Sequence, residues 1–120
     1  MTQIVVWTEI PVTDIEASAA FYSKVFGYKM TVDHSGPNPM AVFNGSDQDA
    51  GGHLYPGKPA SEGGNTIHLA VEGPLEDAIS RCWEAGGKVQ EPVIEIPFGR
   101  FIYANDLDGN SIGLFEPKAA

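Results

Sequence analysis

Positive charge is scarce in this chain: seven Lys and Arg stand against sixteen Asp and Glu, a net charge of −9. A phosphate backbone needs a basic face, so nucleic acid is excluded as a partner. The acidic residues are spread without a block, which reads as solubility and leaves cationic or neutral ligands open. Cysteine is nearly absent. Cys82, the single one, cannot form an internal disulfide, which fits a reducing compartment and predicts a cytoplasmic location. No run approaches the roughly eighteen apolar residues of a membrane span. The N-terminus lacks a basic stretch leading into a long apolar core, so neither a secretion signal nor a membrane partner is expected. There is no P-loop, no G-x-G-x-x-G and no Ser-His-Asp arrangement.

What is present is a repeat. Residues 4–30 read as an apolar strand, an acidic-capped turn, an amphipathic helix, a glycine and another strand, and residues 65–89 follow the same grammar. Ile15, Ala19 and Gly27 precede Leu75, Ile79 and Gly87 by sixty positions, while Val12 precedes Val71 by fifty-nine. One residue was gained between strand and helix. A βαβββ module of this size cannot close a core alone. Two half-sheets must face each other, and the space between them becomes a pocket for a small molecule. The 120 residues make one domain, divided into module one at 1–56, a Gly/Pro-rich linker at 57–64 and module two at 65–120.

The first strand is expected at 2–10. Thr13 and Glu16 form a T-x-x-E capping box. Ile15, Ala19, Tyr22 and Phe26 then give the buried stripe of a helix over about 14–26, terminated by Gly27 in the left-handed conformation. Strands follow at 28–34, 40–43 and 50–55, with Asn44-Gly45 as a turn. In module two a strand is expected at 66–71. Pro74 suits the first position of a helix whose stripe is Leu75, Ile79, Cys82 and Ala85. Strands at 88–96, 99–105 and 110–116 complete it, with Asp108-Gly109 as the hairpin turn. Asp106, Asp108 and Asn110 are hairpin chemistry, because the carboxylate that closes a calcium loop is missing. Cys82, on the buried stripe, is packing.

EIPVTD (9–14), FYSKVFGY (21–28), IHLAVE (67–72) and PFGRFIYANDLDGNSIGLFEP (97–117) resemble the vicinal oxygen chelate superfamily, which includes glyoxalase I, bleomycin-resistance proteins and extradiol dioxygenases. The resemblance spans nearly the whole chain. It implies an α+β fold, two βαβββ modules pairing into an incomplete eight-stranded barrel. It also implies a homodimer in which modules of different chains can enclose each site. In metal-dependent members, His, Gln or Glu ligands project from the first and last strands of each module. Here those positions fall on Trp7, Thr66 and Gly113, with His53 as the best candidate for the fourth. Tryptophan, threonine and glycine do not make a usual divalent-metal set, so no cofactor is expected.

Strand side chains alternate, so Glu9, His68 and Phe115 share the faces of Trp7, Thr66 and Gly113. The candidate ligand-binding residues are therefore Trp7, Glu9, His53, Tyr55, Thr66, His68, Phe101 and Phe115. Glu9, paired with Arg100 or His68, is structural; without a partner it is a candidate general base. The alternative to a metal-free site is one divalent ion held by Glu9, His53 and His68, a facial-triad set. Trp7 either plugs the core or stacks on a planar ligand. Arg100 pins its loop or holds a carboxylate, and His34, beside a Ser-Gly-Pro turn, is exposed. Two functions follow: a metal-free protein sequestering a small aromatic or cationic compound, or a lyase, isomerase or dioxygenase using the displaced site. A module serving a partner protein is the third.

Overall fold

The second half of the chain repeats the first in space as it does in sequence. The computed structural model describes residues 7–45, 51–60 and 64–118. In module one, β1 (Thr8–Val12) leads into α1 (Ile15–Phe26), followed by β2 (Val32–Asp33), β3 (Met40–Val42) and β4 (Gly52–Pro56). In module two, β5 (Ile67–Ala70) leads into α2 (Leu75–Glu84), followed by β6 (Lys88–Ile96), β7 (Gly99–Asn105) and β8 (Ser111–Pro117). The sheets run β1-β4-β3-β2 and β5-β8-β7-β6, so β1 and β5 are both edges. Each module's first strand pairs parallel with its last, and the other pairs are antiparallel. Among the described residues the two sheets do not join, which leaves the eight-stranded α+β arrangement incomplete.

Alternation sorts the side chains. Ile10, Val12, Ala41 and Leu54 of the first sheet turn inward, as do Ile102, Ala104, Ile112 and Leu114 of the second. The helical stripes of Phe21, Tyr22, Val25, Phe26, Leu75, Ala78 and Cys82 complete one core shared by both modules. α1 and α2 pack against each other. Burying about 100 Å² or more of each large side chain contributes on the order of 2 kcal/mol apiece. The opposite sheet faces carry Glu9, His53 and Tyr55 in one module and His68, Tyr103 and Phe115 in the other, none of them buried.

Several local expectations are corrected. The α1 cap is Asp14, whose carboxylate accepts from Ala17 N at 3.1 Å. Thr13 makes no capping box, because its hydroxyl and its N–H both donate to Asp108 of the β7–β8 hairpin. Pro74 stands at the cap of α2, one position before the helix. The second strand shrinks from 28–34 to Val32–Asp33. Tyr28 instead stacks on Phe26 and donates to Ala70 O at 2.6 Å, while Lys29 N donates to Asn44 Oδ1. Those bonds anchor the segment to the core and take it out of the ladder. The first strand starts at Thr8 and reaches Val12; positions 2–6 of the expected strand lie outside the described residues, as do position 50 of the fourth strand and 61–63 of the linker. Gly27 ends α1 at φ 80° as expected, a conformation that costs glycine little.

A polar joint ties the modules together at one end. Asp106 accepts from Asp108 N and Asn110 N, which is the expected hairpin chemistry. It also receives the buried Tyr22 hydroxyl of module one at 2.8 Å, and Asn110 Nδ2 donates to Pro11 O at 2.9 Å. Burial and the Asp106 carboxylate push the Tyr22 phenol well above its ordinary value, so it stays a donor. Arg81 of α2 donates to Val25 O and Glu72 O. No helix among the described residues is long and apolar enough to cross a membrane.

Candidate functional site

The parallel register of β1 on β4 sets Glu9 opposite His53, and both side chains leave the core face. Trp7 Nε1 donates to His53 Nδ1 at 3.0 Å, with the rings tilted at 5.7 Å. His53 Nε2 lies 3.9 Å from Glu9 Oε1, beyond hydrogen-bond reach. Tyr55, two residues along the same face, meets His53 edge-on at 6.3 Å. Glu9, His53, Tyr55, Met40 and Asp33 line a cavity of about 520 Å³, closed on one side by the turn from Ser35 to Pro39.

On the other sheet, β5 pairs with β8 so that His68 stands against Gly113. The missing side chain is what admits the imidazole: a Cβ on Gly113 would meet His68 Nδ1 at 2.0 Å. Around that ring stand Phe101, edge-on at 4.7 Å, then Tyr103 and Phe115. Phe115 stacks on Phe101 at 6.0 Å and on Phe98 at 6.2 Å, forming an aromatic wall. Partial desolvation by these rings holds His68 below the ordinary histidine pKa, favouring the neutral imidazole. The Thr66 and Ser111 hydroxyls hydrogen-bond beside it.

Between the modules lies a larger cavity of about 850 Å³, whose walls are the edge strands β1 and β5 together with the start of β8. Both volumes suit small-molecule sites. Glu9, Thr66 and His68 share the larger cavity, and Glu9 opens on both. Trp7, His53 and Tyr55 gather on module one. Phe101 and Phe115 stand around His68, lining neither cavity. Lys58 brings a cation to the larger cavity; as a lone lysine in a Gly/Pro-rich stretch it carries no signal in the sequence. The Trp7–His53 bond was equally hidden, because it depends on strand register.

Two expectations change here. Glu9 is no buried carboxylate paired with Arg100 or His68; its side chain is 64% exposed, and the group beside it is the His53 imidazole. Arg100 instead reaches Glu76 at 2.6 and 2.7 Å and Glu116 at 2.9 Å, joining β7 and β8 to the first turn of α2. Glu116 Oε1 also accepts from Leu75 N, capping α2 from another strand. His34 is exposed, as expected, near Glu16. Cys82 is fully buried, and desolvation pushes its thiol up to about 11, which fits packing.

The described residues do not assemble a divalent-metal cage. Gly113 offers no donor, and the His68 ring fills the space beside it. The lone pair on His53 Nδ1 is taken by Trp7. Among the described residues no group of three or more His, Cys, Asp and Glu side chains could hold a metal ion, so Glu9, His53 and His68 are not one cluster within the chain.

Two βαβββ modules, each a mixed four-stranded sheet with one helix, define the fold class. The chain belongs to the Glyoxalase/Bleomycin resistance protein/Dioxygenase superfamily, whose family model matches residues 4–114. It is 28% identical over 118 residues to CFP32 of Mycobacterium bovis, provisionally named a glyoxylase, and covers 92% of this chain but 44% of that protein. The chain thus spans less than half the length of the curated relatives it matches. Among solved structures it is similar to TnmS3, an antibiotic binding protein from Streptomyces sp. CB03234, at TM-score 0.64 and 25% identity over 98% of each chain. The fosfomycin resistance protein FosX from Mesorhizobium loti shares the fold at TM-score 0.70 and 20% identity, covering 96% of this chain and 92% of that one.

Proposed function

We propose that this chain is a single glyoxalase-like domain, with modules at 1–56 and 65–120, that binds a small aromatic or cationic molecule without a divalent metal. The observation that carries this reading is the composition of the two outward faces. One presents Trp7, Glu9, His53 and Tyr55; the other presents His68 amid Phe101, Tyr103 and Phe115. Flat rings supply stacking surface, and an exposed carboxylate with a net charge of −9 behind it favours a cation. That TnmS3 is described as antibiotic binding, and FosX as a resistance protein, supports the same direction. The bound molecule, the cytoplasmic location and a homodimer belong to this reading. A second copy laid on the open faces would cover Phe98, which is 69% exposed.

The test uses Trp83→Phe, which leaves Trp7 as the only tryptophan. Proflavine, a planar cation, is expected to quench its emission saturably. Protein purified without a tag is expected to carry no stoichiometric Ni, Zn, Mn or Fe by elemental analysis. Linear, unsaturable quenching together with one metal ion per chain, lost in Glu9→Gln or His68→Ala, would move the assignment to a second reading. That reading is a metal-dependent lyase, isomerase or dioxygenase, and the closeness of Glu9 to His53 favours it. Light scattering at micromolar concentration tests the dimer; a monomer would remove it.

A further inference from the structure

Tryptophan's indole N–H only donates. Its bond to His53 Nδ1 at 3.0 Å therefore requires a lone pair on that nitrogen. A neutral imidazole carrying the lone pair on Nδ1 carries its proton on Nε2. Trp7 thus decides what His53 shows to the cavity: an N–H donor. The His53 side chain is only 14% exposed, so few other orientations are open to it. Glu9 Oε1, an acceptor, stands 3.9 Å from that Nε2. The two are too far apart to satisfy each other and close enough for one oxygen atom to satisfy both. An oxygen about 2.8 Å from each would see them roughly 90° apart. Both residues line the cavity of about 520 Å³, whose remaining walls include Met40, Tyr55 and Pro39. Those walls suit a flat ring.

We propose that His53 and Glu9 read a hydroxyl group on the bound molecule, that the preferred ligands of this cavity are phenols, and that Trp7 is the positioning residue that fixes the proton on His53 Nε2. This deepens, and rests on, the reading of the chain as a small-molecule binder. A hydroxyl accepts from Nε2–H and donates to the Glu9 carboxylate through one atom. An ether oxygen accepts but leaves Glu9 unpartnered, and an ammonium donates but leaves His53 unpartnered. Glu9 is solvated in the free protein, at 64% exposed; a ring that covers the pair removes that water, and a polar group so desolvated without a partner disfavours the ligand.

The experiment has a ligand-free arm and a ligand arm. Long-range ¹H–¹⁵N NMR of the free protein is expected to show the Nε2–H tautomer at His53. In Trp7→Phe it should become a mixture, while the other histidines stay as they were. An Nδ1–H tautomer in the unmodified protein overturns the proposal. In the ligand arm, 2-naphthol and 2-methoxynaphthalene are titrated by calorimetry. The phenol is expected to bind about tenfold more tightly, the worth of one satisfied polar pair. That ratio should fall toward one in Trp7→Phe and in Glu9→Leu. Equal binding of the two probes to the unmodified protein overturns the hydroxyl reader, with the gap then holding water, and leaves the small-molecule reading standing. Binding of neither naphthalene overturns the phenol preference; if saturable proflavine quenching is also missing, the broader reading fails with it.

Discussion

A side chain at position 113 would collide with the His68 ring, since a Cβ there lies 2.0 Å from Nδ1. The clash is with a side chain and not with backbone, so Gly113→Ala should fold and push the imidazole out of its stack. Desolvation holds His68 below its ordinary pKa of about 6.5. Its contribution to stability is therefore complete above that value and declines as the pH falls toward the folded-state pKa. In Gly113→Ala the ring regains water, its pKa moves up toward the ordinary value, and this part of the acid loss disappears. An NMR titration of the His68 ring protons checks it; an unchanged pKa would show that the aromatic wall, without Gly113, sets the environment. The glycine was visible in the sequence as a misfit to a ligand position. That a histidine one strand away occupies its space was not, because β5 and β8 are separated by forty residues of chain.

Between elements, Arg100 does the joining. Its guanidinium connects β7 to Glu116 on β8 and to Glu76 in the first turn of α2, and Glu116 caps Leu75 N. Arg100 holds the Glu76 carboxyl down to about 2. A lowered carboxylate pKa stabilises the fold fully above the unfolded value near 4.5, and the benefit fades as the pH falls toward 2. Arg100→Ala should lower Tm at neutral pH and flatten the dependence of Tm on pH between those limits. Calorimetry at several pH values decides it; the same slope in both proteins would exclude the coupling. Glu76 is exposed and Arg100 half-buried, so the effect should be modest and reduced by salt. The helices themselves were legible from the spacing of Ile15, Ala19, Tyr22 and Phe26 and of Leu75 and Cys82. Their N-caps were not, because Asp14 and Thr13 compete for one role and a distant carboxylate at Asp108 takes Thr13 away.

At the scale of the whole molecule, one core spans both modules through the contact of α1 with α2. Leu114, fully buried on β8, contributes to that shared core. Leu114→Ala should cost about 2–5 kcal/mol. Because the buried residues form one continuous cluster across both modules, Trp7 and Trp83 should report one coincident transition in denaturant. Two separated transitions would show that the modules are stable independently.

The sequence by itself determined the repeat, the two βαβββ modules and the family, because hydrophobic period, terminal glycines and turn residues are local signals that recur sixty positions apart. Strand alternation also grouped Glu9, His68 and Phe115 with Trp7, Thr66 and Gly113, on faces expected to line a cavity; Phe115 lines neither cavity of the structure. Tertiary structure alone decided which of them meet. Register brought Trp7 and Glu9 to His53 and His68 to Gly113, and it sent Arg100 to α2 in place of Glu9. Pairings of that kind depend on distances across strands far apart in the chain, and no period along the chain records them.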